Sequence, residues 1–85
     1  MNKEEMIRIG KELKKVSIQK QQIKKRMDKC INTNGIVYRR DTVDGIIQCC
    51  LLGNVECQEL IDVLNSDDDT RNQAVNYLLA GYTGE

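Results

Sequence analysis

Residues 6–30 read MIRIGKELKKVSIQKQQIKKRMDKC, and the spacing within them decides the fold class. Met6, Ile9, Leu13, Val16, Ile23, Met27 and Cys30 recur at alternating steps of three and four, with Lys20 in the one remaining slot. Seven of eight successive core positions are thus apolar or cysteine, which is a sustained heptad. The spacing predicts one long helix over residues 3–33.

Two packings fit this stripe. In the first, it is a seam between subunits of a homodimer or higher homo-oligomer. Met6, Ile9, Leu13, Val16, Ile23 and Met27 are then the self-association contacts, and Lys20 fixes register and strand number, because a buried polar residue penalises wrong pairings. In the second, the stripe belongs to an ordinary amphipathic helix packed on its own domain. The two are compatible, since Ile7, Ile18 and Ile31 lie off the seam and widen the apolar surface.

Beyond residue 33, Asn34-Gly35 supplies a helix stop, and residues 34–40 form a connector through Ile36-Val37-Tyr38. Residues 41–82 divide into three short helices. Asp41 or Thr42 opens the first, whose stripe is Val43, Ile46, Ile47, Cys50 and Leu51. Gly45 lies inside it and suggests a close helix contact, and Gly53-Asn54 ends it. The second runs from Val55 to Leu64. Ser66 is placed to cap the third, which buries Val75, Leu78, Leu79 and Tyr82, with Gly81 and Gly84 marking a fraying tail. The expected architecture is an all-α single domain over residues 1–85, a small helical bundle with one long heptad helix followed by three short ones, and oligomeric.

Composition agrees with this picture. Eighty-five residues with no Trp, no Phe and no Pro must build an aliphatic core without the strongest helix breaker. A core of this size is marginal alone, and self-association is a common remedy. No apolar run approaches a membrane span, and the start of the chain lacks the apolar core of a secretion signal, so no membrane partner and a cytoplasmic location are expected. Cys30, Cys49, Cys50 and Cys57 are then reduced thiols. The Ile-, Lys- and Asn-rich usage suggests a low-GC source, a bacterium or its phage.

Net charge is zero overall but sharply divided. Residues 1–40 hold twelve of the thirteen Lys and Arg and four of the thirteen acids, a net of +8; residues 41–85 hold Arg71 against nine acids, a net of −8. Such asymmetry points to interaction more than to catalysis.

Specific chemistry finds little support. The chain has no His, which removes the commonest general base and metal ligand, and no enzyme activity is expected. The cysteines lack a C-x₂-C pair and sit in apolar settings, so core packing is favoured over zinc. Asp67-Asp68-Asp69 has Arg71 where a calcium loop needs a ligand. No metal and no cofactor are expected.

The preferred function is a non-catalytic helical interaction protein that self-associates and binds, inhibits or sequesters a macromolecular partner, most simply a protein. The alternative is a small nucleic-acid- or nucleotide-binding regulator. It would use the basic face opposite the seam, Arg8, Lys11, Lys15, Lys25 and Lys29, continued by Arg39 and Arg40. Acids of the chain's own second half compete for that face.

Overall fold

The computed structural model describes residues 1–31, 40–55 and 58–84, with Asp41 described in its backbone alone. Every regular element among them is helical: α1 (Lys3–Gln19), α2 (Gln21–Ile31), α3 (Arg40–Leu52), α4 (Gln58–Leu64) and α5 (Asp68–Thr83). The all-α expectation holds. The expected connector over residues 34–40 and its helix stop at Asn34-Gly35 lie almost wholly outside the described residues, as do Arg39 and Cys57.

The single long helix gives way to two. Lys20 takes an extended conformation, φ −120° and ψ 100°, between α1 and α2. Its N–H still donates to the Val16 carbonyl, and its own carbonyl accepts from Ile23 and Lys24, so the interruption is one residue long. A straight helix over residues 3–31 would run about 43 Å at 1.5 Å per residue, whereas the longest extent of the molecule is 32 Å. The break lets α1 pack along α5 while α2 turns to pack along α3.

The buried stripe follows the break. In α1 it is Met6, Ile9, Gly10, Leu13 and Ser17; in α2 it is Ile23, Met27 and Cys30. These residues join Val43, Ile46, Cys49, Cys50, Leu60, Leu64, Val75, Leu78 and Tyr82 in one aliphatic core. Ser17 is tolerated there because its hydroxyl donates to the Lys14 carbonyl at 2.6 Å.

Helix ends show why the chain turns where it does. Asn2 caps α1 by accepting from the Glu5 N–H at 2.9 Å, with Glu4 and Glu5 favourable in the first turn. Asp67, one residue beyond the expected Ser66, caps α5 by accepting from the Thr70 N–H. At the end of α3, Asn54 adopts φ 52°, and the Val55 and Asn54 N–H groups return to the carbonyls of Cys50 and Leu51. That is a Schellman turn with asparagine at its left-handed position.

Two glycines have roles that differ from those expected. Gly81 lies buried inside α5, where a Cβ would collide with the Ile7 carbonyl; the left-handed stop is Gly84, at φ 85°. Gly10 is its counterpart, set against the Leu78 carbonyl. Gly45 makes no close helix contact among the described residues, whose nearest atom to a Cβ there is the Cys30 Sγ at 4.0 Å.

Candidate interaction surface

The expected self-association seam lies inside one chain. Met6, Ile9, Leu13, Ile23 and Met27 are buried by the protein's own helices, and Val16 is half-buried with its Cγ1 against Gly53. A second subunit would reach these side chains only by opening the core. The physical reason is that helical periodicity records which face is covered, and α3, α4 and α5 supply the cover here.

Lys20 is also reassigned. It is exposed, and its Nζ donates at 2.7 Å to the carbonyl of Leu52 in the last turn of α3. A cation suits the negative end of a helix, where the last carbonyls lack partners within the helix. Lys20 therefore ties the α1–α2 joint to α3.

The basic face survives folding. Arg8, Lys11 and Lys15 are exposed on α1 and fall within about 60° of one another at 100° per residue. Lys25 and Lys29 are exposed on α2. Arg40 is exposed at the start of α3 but turned to Asp44, at 3.0 Å. Of the two arginines expected to continue the basic face, Arg40 is thus engaged within its own helix and Arg39 lies outside the described residues.

Neutralisation by the acidic half is slight. Among the described residues, side-chain ion pairs join groups three or four apart: Glu12 with Lys15, Lys24 with Asp28, Arg40 with Asp44, and Asp68 with Arg71. The hydrogen bond and charge of Asp28 raise the pKa of Lys24. An ion pair between the halves joins the Met1 amino group to Glu59 at 2.6 Å. Exposed pairs of this kind contribute little energy, so both fields persist at the surface.

Residues that spacing placed beside the basic row or off the seam acquire particular surroundings. Lys14 holds its Nζ 5.0 Å from the centre of the Tyr82 ring, and Lys3 sits 5.7 Å from that of Tyr77, both cation–π arrangements. Ile18 is 73% exposed and lies one turn beyond Lys14 and Lys15 on the same face. Ile7 and Ile31, grouped with it by sequence, are half-buried instead. An open groove of about 400 Å³ runs beside α1, with Met1, Ile9, Val16 and Val55 beneath Glu5, Arg8 and Glu12. Its mixed charges select no ligand class.

The thiols face the interior. Cys30, Cys49 and Cys50 are buried and unbridged, and burial, reinforced by neighbouring Cys30, pushes the Cys49 thiol up to about 11. A thiol held protonated is a poor nucleophile and a poor ligand. Among the described residues no group of His, Cys, Asp and Glu is arranged to hold a metal ion, and no helix is long and apolar enough to cross a membrane. In the acidic triplet, Asp67 caps α5 and Asp68 pairs with Arg71. The chain matches no known family model, no curated protein and no solved structure.

Proposed function

We propose that this chain is a non-catalytic interaction protein that binds, and so inhibits or sequesters, an acidic protein partner through the solvent face of α1 and α2. Ile18 carries the reading. An isoleucine 73% exposed beside Lys11, Lys14 and Lys15 offers an apolar anchor ringed by cations. Protein interfaces bury such anchors at their centre and place charge at the rim, where it steers encounter and excludes wrong partners. A cytoplasmic setting, in which Cys30, Cys49 and Cys50 stay reduced, fits this role.

The test uses an acidic peptide with leucine flanked by glutamates and its serine-for-leucine counterpart, titrated at low salt by fluorescence anisotropy. The leucine peptide should bind more tightly, and both Ile18→Ser and the Lys11→Glu/Lys15→Glu pair should weaken it. Equal binding of the two peptides, unaffected by Ile18→Ser, would remove the anchor and the reading with it.

Nucleic-acid binding is the second reading. Arg8, Lys11 and Lys15 make an exposed row about 10 Å long, a reach that spans neighbouring phosphates. A short DNA duplex in the same titration separates the two. Binding that falls steeply with salt and ignores Ile18→Ser belongs to this second reading, because phosphates have no use for the isoleucine.

A further inference from the structure

Folding leaves the two charge fields on different parts of the surface. The positive field is the outer face of α1, with Lys11, Lys14 and Lys15 around exposed Ile18. The negative field is the corner where α4 turns into α5. There Glu59, Asp62, Asp67, Asp68 and Asp69 are all exposed. Some are committed locally: Asp67 to the cap of α5, Asp68 to Arg71 and Glu59 to the Met1 amino group. Asp62 accepts only from the neutral amide of Gln58, and Asp69 has no cationic partner among the described residues.

The two surfaces also match in their apolar parts. On α4, Ile61 stands partly exposed next to Asp62, while Val63 packs on the core. An aliphatic side chain edged by carboxylates is the complement of an isoleucine edged by ammonium groups, and opposite fields favour that juxtaposition while like fields oppose its alternatives. The seam that sequence periodicity offered for self-association is closed inside the core, which leaves such outer faces as the available ones.

We propose that the α1 face around Ile18 docks the acidic α4–α5 corner of a second copy of this chain, head to tail. This rests on the reading of that face as a protein-binding surface and names an occupant for it. The contact is heterologous, because each copy offers a different patch to each neighbour. It therefore grows into chains or rings and does not stop at an isologous dimer. Its occupancy falls with dilution and salt, so assembly and capture of an outside acidic partner compete for Lys11, Lys15 and Ile18.

Sedimentation of the intact protein at about 20 mM salt tests this, with loading from about 10 μM to about 1 mM to cover a weak contact. The weight-average mass should climb from 9.7 kDa past that of a dimer, without limit for an open chain or to a plateau at three or more copies for a ring, and return to 9.7 kDa in about 0.5 M NaCl. Lys11→Glu/Lys15→Glu alone and Asp62→Lys/Asp69→Lys alone should each remain at the monomer mass. Mixed in equal amounts they should associate again, because the lysine face of one meets the aspartate corner of the other and the glutamate face of the first meets the lysine corner of the second. Helix content by circular dichroism confirms that both variants fold; if the double aspartate variant does not, Asp62→Lys alone takes its place.

A wild-type mass fixed at 9.7 kDa in low salt, a plateau at the dimer, or two variants that ignore each other when mixed would each overturn the head-to-tail contact. Peptide capture by the Ile18 face is read in a separate titration, so loss of the assembly leaves that reading standing. Loss of peptide binding with intact assembly restricts the face to self-contact.

Discussion

Gly10 of α1 and Gly81 of α5 each lie against a backbone carbonyl of the other helix, Gly10 facing that of Leu78 and Gly81 that of Ile7. The contact is reciprocal, and backbone cannot step aside as a side chain tip would. The two helices approach this closely because neither carries a Cβ at the crossing.

Gly10→Ala and Gly81→Ala should therefore each destabilise the fold by about 2–3 kcal/mol or more through overpacking. Gly45→Ala is the control. A Cβ there is 4.0 Å from its nearest described neighbour, so the gain in helix propensity should stabilise by about 0.5–1 kcal/mol. Urea midpoints for the three variants check the contrast, and equal effects at Gly10 and Gly45 would refute the close crossing.

Lys20 separates the joint from an oligomer seam. Loss of its bond to the Leu52 carbonyl in Lys20→Ala should cost about 0.5–1 kcal/mol. Lys20→Leu should behave the same way and leave the molecular mass unchanged at high salt. In a heptad seam, the leucine would instead stabilise and drive association. Urea melts with sedimentation in the same buffer decide between them.

Stability should decline in alkali on account of Cys49. Its folded pKa, about 11, exceeds the ordinary thiol value of 9.0, so the folded state holds the proton more tightly. The contribution is whole below pH 9 and is lost as pH rises through about 11. Tyrosines and lysines titrate in the same range, so the measurement is the difference in slope between wild type and Cys49→Ala. Identical slopes would show that this thiol is not held back by burial.

Tyr82, only 2% exposed, buries a hydroxyl that has no hydrogen-bond partner among the described residues. Leaving such a group dry costs about 1–3 kcal/mol, so Tyr82→Phe should leave stability unchanged or raise it. A loss of more than about 1 kcal/mol would reveal a bond that the hydroxyl makes in solution.

Much of the fold was legible in the sequence because burial on a helix imposes its own period. Met6, Leu13, Ile23 and Met27 declared the covered face, and Val75, Leu78 and Tyr82 did the same for the last helix. What covers that face leaves no mark on spacing, so an internal core and a subunit seam read alike until α3, α4 and α5 are placed. The break at Lys20 was hidden for a related reason. Ser17 to Gln22 contains neither Gly nor Pro, and the interruption accompanies the short span of the molecule and the bond from Lys20 to the Leu52 carbonyl. Gly81 reads as a fraying end in the sequence, and Gly10 gives no signal there, because close approach is a property of two helices together.

The basic row of Arg8, Lys11 and Lys15 was legible from spacing, since residues opposite a buried stripe must face water. Ile18 was not. Apolar residues off a stripe are ordinarily absorbed by neighbours, as Ile7 and Ile31 partly are, whereas Ile18 stays 73% exposed.

The pairing of α1 with α5 joins the first helix of this sequence to the last. Contacts so distant along a chain are slow to form, because a long loop must close before any of them is made. During synthesis the apolar stripe of α1 emerges early and waits for Leu78 and Gly81 to leave the ribosome. Until then Met6, Ile9 and Leu13 are uncovered, and a nascent chain offers the very heptad surface that the finished protein conceals. Premature termination after Leu64 should therefore yield not a smaller protein but a sticky one.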